Sequence, residues 1–151
     1  MSHSRIKKYF LNLLSQKDYS ERELIDKAMY KGFDDNEIYV EVENLKSIKY
    51  LDDLRMAKNI VESYRGLKGQ VWLNYKLAAR KISEKVISNV LQSYDLSPSP
   101  SFKQKVATKY RVSVWSSLDV QKKQKIARFI QSQGFNQPFE IIKLWAEKYL
   151  D

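Results

Sequence analysis

Apolar and polar positions along this chain recur with the period of an α-helix. Ile6, Phe10, Leu13 and Leu14 follow spacings of three and four, which predicts a helix over 4–16. Tyr19-Ser20-Glu21-Arg22-Glu23-Leu24 then carries a full helix-start signal. Ser20 and Glu23 have the spacing of a capping box, and Tyr19 and Leu24 that of a hydrophobic staple. Leu24, Ile25 and Ala28 form the apolar stripe of this second helix, and Gly32 can take the left-handed conformation that ends it. Asp34 caps a third helix reaching Leu45, with Glu37 placed to complete a box and Phe33 to staple onto Ile38.

The same succession returns twice. Asp52 or Asp53 opens a helix carrying Met56, Ala57, Ile60, Val61 and Tyr64. Gly66 and Gly69 mark the next turn, Trp72, Leu73 and Leu77 face a core, and Ser83 caps a helix reaching Tyr94, with Ile82 stapled to Ile87 and Val90 and Leu91 behind. Ser97-Pro98-Ser99-Pro100-Ser101 has the composition of a stiff hinge. Beyond it, Phe102, Val106, Ala107 and Tyr110 mark a helix, and Val112–Trp115 reads either as a helix end or as an extended turn. Asp119 caps a helix with Ile126, Ala127 and Ile130 inside, and Asn136 caps a last one with Ile141, Ile142, Leu144, Trp145 and Tyr149. The caps at 34, 83 and 136 are 49 and 53 residues apart. These steps exceed the roughly 33–34 residues of two-helix repeats and fit three helices per unit. The expected fold is all-α, a tandem array of three three-helix modules, elongated and curved, spanning 1–49, 50–96 and, after the hinge, 97–151. Arrays of this kind offer long surfaces suited to binding. Lys81 stands where Gly32 and Gly134 stand in the other copies. A side chain there costs about 1 kcal/mol in the left-handed conformation, so this turn is expected to differ.

Three prolines and four glycines leave little punctuation for a turn-rich β fold. The net charge of +9 is unevenly distributed. Residues 1–53 hold nine Lys/Arg against eleven Asp/Glu, and residues 54–151 hold 18 against seven. Such asymmetry points to a polyanionic partner for the later modules, nucleic acid above all. Lys122, Lys125 and Arg128 recur every three residues on one flank of their helix. Lys103, Lys105, Lys109 and Arg111 surround the preceding helix, and Lys76, Arg80 and Lys81 extend the basic character backwards. Together they have the makings of a stripe that tracks phosphates. The ten tyrosines and three tryptophans could stack on bases, but most sit at core spacing.

Little else could carry chemistry. Without cysteine and with one histidine, His3, neither a zinc site nor a cysteine nucleophile can be assembled. No serine has a histidine base, and no glycine-rich phosphate loop is present. The acid pairs Asp34-Asp35 and Asp52-Asp53 stand at helix starts, where backbone N–H groups and the helix dipole favour negative charge. A non-enzymatic binding protein without cofactor or metal is therefore expected. No apolar run approaches the ~18 residues of a membrane span, and no signal peptide is evident, so a cytoplasmic location is expected.

Tyr50-Leu51-Asp52-Asp53-Leu54-Arg55-Met56-Ala57, followed in register by Arg65-Gly66-Leu67-Lys68-Gly69 and Lys81-Ile82-Ser83, resembles the central module of the RecX family. Tyr19–Leu24 with Lys31-Gly32-Phe33 is similar to the family's first module. The third module matches in helix layout and in Gly134-Phe135. The resemblance covers roughly residues 5–95 well. Lys76-Leu77 stands where the family commonly has Glu-Leu, and Arg80-Lys81 where it has Lys-Gly, and both changes add positive charge. The resemblance implies a regulator that lies in the groove of RecA filaments on single-stranded DNA. Such a regulator inhibits ATP hydrolysis, strand exchange and co-protease activity, by occupying the groove and by capping or destabilising the filament. It also implies weaker contact with duplex DNA, and a monomer is the simpler expectation. The competing expectation is a direct DNA-binding regulator whose second and third helices act as helix-turn-helix units. Glu37, Glu41 and Glu43 on the first such third helix argue against groove insertion.

Overall fold

Capping residues divide the chain into helices largely where the sequence places them. The computed structural model describes residues 2–150, with side chains over 5–147. The helices are α1 (Ser2–Gln16), α2 (Glu21–Lys31), α3 (Asp35–Ser47), α4 (Asp53–Tyr64), α5 (Gln70–Ala79), α6 (Glu84–Gln92), α7 (Pro100–Tyr110), α8 (Val120–Ser132) and α9 (Pro138–Leu150), with a 3-10 turn at Trp115–Ser117. The fold is all-α, and the only bridge among the described residues is the isolated pair Arg65–Lys68. The side chains of His3 and Tyr149 lie outside the described residues.

Ser20 forms the full capping box with Glu23. The hydroxyls of Ser83 and Ser99 and the carboxylates of Asp52 and Asp119 each accept a backbone N–H three residues on, opening α6, α7, α4 and α8. Two starts differ from expectation. Asp34 accepts from the Asn36 N–H at 3.1 Å, and the cap geometry there is that of a single side-chain bond, not a box with Glu37. The last helix begins at Pro138, not after Asn136, because Gln137 takes φ 53° and its carbonyl accepts the first helical bond from Ile141. Proline suits the first helical position, since that N–H has no partner in the helix.

One device ends five of the helices. The residue after a left-handed position donates its N–H to the carbonyl five residues back: Phe33 to Ala28, Tyr50 to Leu45, Ile82 to Leu77, Val112 to Ala107 and Phe135 to Ile130. This is the Schellman closure, and both partners are apolar in every case. The left-handed residues are Gly32, Lys49, Lys81, Arg111 and Gly134. Lys81 therefore adopts the same conformation as its glycine counterparts, against the expectation that its turn would differ. A cation at a helix C-terminus gains from the macrodipole, which offsets part of the conformational cost.

The chain divides into two compact units, residues 1–60 with 76–90, and residues 61–75 with 91–151. The helices α4, α5 and α6 each contribute to both. In the first unit α3 packs on α1 and α2 around Ile6, Phe10, Tyr19, Leu24, Ala28, Ile38, Val42, Leu45 and Leu51. In the second, α7, α8, α9 and the 3-10 turn enclose Phe102, Val106, Trp115, Ile126, Ala127, Ile130, Phe135, Ile142 and Trp145. The turn resolves the ambiguity at Val112–Trp115. It buries Trp115 against Trp145, with ring centroids 4.7 Å apart.

Glycine is required where α5 begins. The Gly69 N–H donates to the Gln133 carbonyl at 2.9 Å and the Val71 N–H to the Gly134 carbonyl at 3.1 Å. Backbone carbonyls of a distant turn thus satisfy N–H groups that the helix leaves open. A Cβ on Gly69 would overlap the Gly134 carbonyl, and one on Gly134 would lie 2.6 Å from the Trp72 nitrogen. The Ser97–Ser101 segment supplies the α7 cap, and the Ser99 N–H and hydroxyl both donate to the Gly66 carbonyl, at 2.9 and 3.1 Å.

Candidate nucleic-acid interface

Between Pro100 and Phe139 the chain carries eight Lys/Arg and one acid, Asp119. The end of α7 and the start of α8 gather half of these cations. Lys109, Arg111, Lys122 and Lys125 line one open cavity of about 360 Å³ together with Tyr110, Gln121 and Asp119. The arrangement follows from the chain's local chemistry. Arg111 sits at the left-handed end of α7, with φ 55° and ψ 52°. Asp119 accepts the Lys122 N–H at 2.8 Å, so the one carboxylate in the cavity is engaged in opening α8. The Lys122 ammonium donates to the Arg111 carbonyl at 3.2 Å, tying the two helix ends together. Lys109 lies over the Phe129 and Tyr110 rings, 5.2 and 5.7 Å from their centroids. The cation–π contacts hold the ammonium itself at the edge of the cavity.

The remaining cations singled out above fall elsewhere. Lys105 and Arg128 are exposed on α7 and α8, and Lys103 is half-buried on α7. Lys76, Arg80 and Lys81 belong to the first unit. Two of these are engaged by acids. Arg80 grips the Glu23 carboxylate at 3.0 and 3.2 Å, and Lys81 meets Asp26 at 2.6 Å. Partial burial opposes ionisation of Glu23, yet hydrogen bonds from Arg80 and the Ser20 N–H hold its carboxyl below the ordinary range. Hydrogen bonds from Lys81 and Arg22 do the same for Asp26. Arg80 and Lys81 are thus each paired with an acid of the first unit, Arg80 half-buried and Lys81 at the surface. Lys76 is half-buried in the last turn of α5.

Sequence reasoning missed three features. Asp53 does not open its own helix. Its carboxylate accepts the Glu21 N–H at 2.9 Å and so serves the start of α2, while burial pushes its carboxyl up. Arg55 donates to the Lys49 carbonyl at 2.7 Å, closing the end of α3. Lys68, beside Trp72 with 5.1 Å to its ring, donates to the Gln133 side chain at 2.6 Å. The Asp53 and Lys68 contacts join segments 32 and 65 residues apart, which no local spacing signals, and the Arg55 contact crosses a turn of six residues that no helix-start or helix-stop pattern announces. No group of three or more metal-ligating side chains occurs among the described residues, and no described helix is long and apolar enough to cross a membrane.

No family model matches the chain. Relatives and solved structures do. The chain is 31% identical over 129 residues to the regulatory protein RecX of Actinobacillus pleuropneumoniae serotype 5b, covering 84% of this chain and 82% of that protein. It is 29% identical over 138 residues to its counterpart from Acinetobacter baylyi, covering 90% and 84%. The Clostridium tetani protein is 28% identical over 123 residues, and there the chain spans 57% of the relative's length. The crystal structure of RecX from Lactobacillus salivarius superposes with a TM-score of 0.77 at 18% identity, covering 97% of this chain and 96% of that one, which speaks for the fold. On identity and coverage together, this chain belongs to the RecX family of regulatory proteins.

Proposed function

We propose that this protein binds RecA filaments on single-stranded DNA and inhibits their ATPase, strand-exchange and co-protease activities. It does so by occupying the filament groove and by capping or destabilising the filament. The observation that carries the reading is the cluster of Lys109, Arg111, Lys122 and Lys125 around one open cavity whose single carboxylate is already engaged. Four cations around a single carboxylate leave a net positive charge that releases counterions from a phosphate chain on contact. Family membership supplies the recombinase as the context in which that chain is met. Lys103, Lys105 and Arg128 extend the phosphate-contacting surface along α7 and α8. Lys76 adds to the basic character of the first unit, while Arg80 and Lys81 act mainly within the fold. Three helical modules, 1–49, 50–96 and 97–151, make up the binding array, and the protein acts as a monomer in the cytoplasm without cofactor.

Charge reversal tests the assignment. Lys109→Glu, Arg111→Glu and Lys125→Glu, combined in one chain, are expected to abolish inhibition of the RecA ATPase. Their thermal unfolding should stay close to that of the parent, since none of the three side chains is buried. Undiminished inhibition by the triple variant would overturn the placement of the DNA contact.

A further inference from the structure

We infer that the outward face of α3 docks a cationic segment of a protein partner, a reading that rests on the filament-binding function proposed above. The inner face of α3 is accounted for, because Ile38, Glu41, Val42 and Leu45 are buried. Opposite it, Asp35, Asn36, Tyr39, Val40 and Glu43 are all exposed. Asp35, Tyr39 and Glu43 follow one another at four-residue steps and so form a single ridge, with Asn36 and Val40 beside it. Tyr39 is 67% exposed and Val40 42%. An isolated exposed apolar side chain needs no explanation, but a tyrosine beside a valine, edged by carboxylates, has the composition of a contact centre.

The charge of the segment selects the partner. From Gly32 to Leu45 the chain has five acids and no Lys or Arg, within a protein of net charge +9. Helix capping explains Asp34 and the macrodipole explains Asp35, both at the α3 N-terminus. Neither explains Glu43, which stands near the C-terminus, where negative charge is disfavoured. Lys46 reaches Glu43 at 3.4 Å but is shared with Glu21 at 3.5 Å. Such a ridge repels phosphate. It suits Lys and Arg side chains, which pair with the carboxylates and stack on the Tyr39 ring. The basic α7–α8 cavity and the acidic α3 ridge thereby sort the two components of a nucleoprotein filament.

The test uses the full chain with two substitutions, Tyr39→Ala and Glu43→Lys, singly and together. Binding is measured to RecA filaments on single-stranded DNA and to the bare DNA, with sedimentation of the free protein alongside. The double variant is expected to lose about tenfold or more in filament affinity. Affinity for bare DNA should stay level or rise slightly, and thermal unfolding of Tyr39→Ala should match the parent. Equal filament affinity in parent and double variant would overturn the inference while leaving the proposed function standing. Parallel losses on filament and bare DNA would overturn it as well. So would a parent oligomer that Glu43→Lys dissociates, since the face would then belong to a second copy. A parent chain that does not bind the filament at all would overturn the proposed function and this inference with it.

Discussion

Arg80 holds Glu23 in the place where Glu23 closes a helix cap. Its Nε and Nη2 donate to the two oxygens of the Glu23 carboxylate at 3.0 and 3.2 Å, and Nη2 also donates to the Asp18 carbonyl at 2.7 Å. Glu23 at the same time accepts the Ser20 N–H at 2.9 Å. One guanidinium thus fastens the turn after α5 to the start of α2. Arg80→Ala is expected to cost about 1.5–3 kcal/mol in chemical denaturation, the range for hydrogen bonds to charged groups. Arg80→Lys should recover only part of this, because an ammonium cannot reproduce the fork.

The acid limb of stability should show two opposed contributions. The folded Glu23 carboxyl titrates below its ordinary value of 4.5. Its contribution is complete above that value and is lost as pH falls through the folded pKa. Glu23→Gln should therefore be less stable than the parent at pH 7 and converge with it in acid. Burial raises the Asp53 carboxyl above its ordinary value of 3.8. It imposes a penalty above its folded pKa that disappears below the unfolded one. Asp53→Asn, which keeps an oxygen for the Glu21 N–H, should exceed the parent in stability at pH 7 and lose that advantage as pH falls. Denaturation at a series of pH values separates the two curves.

Gly69→Ala is expected to be among the most damaging single-methyl changes in the chain. Its Cβ would press on the Gly134 backbone carbonyl, which is not the flexible end of a side chain and cannot swing away. A loss of at least about 2 kcal/mol is expected in denaturant unfolding, because the α5 start must separate from the 133–134 turn to make room.

Arg111→Gly should divide stability from binding. At φ 55° a glycine removes a strain of about 1 kcal/mol, so the variant should equal or exceed the parent in thermal unfolding. The Arg111 carbonyl that receives Lys122 is retained. If Arg111 contacts a phosphate, the slope of log affinity against log salt on single-stranded DNA should fall by about 0.7.

The helices were legible because their starts and faces are written locally. Ser20 with Glu23, Asp119 before its apolar stripe, and Gly32 at its stop each act over a few residues. The misplacements lie where a backbone angle decides. Gln137 at φ 53° moves the last helix start past Asn136, and Lys81 takes the left-handed conformation of Gly32 and Gly134 where its turn was expected to differ. The candidate interface was legible as a density of cations, but not in its sorting. Arg80 and Lys81 read like the other basic residues until their partners Glu23 and Asp26, 57 and 55 residues away, are seen beside them. The α3 ridge read only as acidic until burial of its opposite side showed Tyr39 and Val40 facing outward.

The most direct measurement is the ATPase of RecA on single-stranded DNA as this protein is titrated from far below one copy per RecA subunit. The account predicts loss of activity at substoichiometric levels, which the triple charge reversal at Lys109, Arg111 and Lys125 removes. Unchanged ATPase up to equimolar protein, with salt-dependent binding to bare DNA intact, would contradict it and leave a DNA-binding protein that acts without the filament.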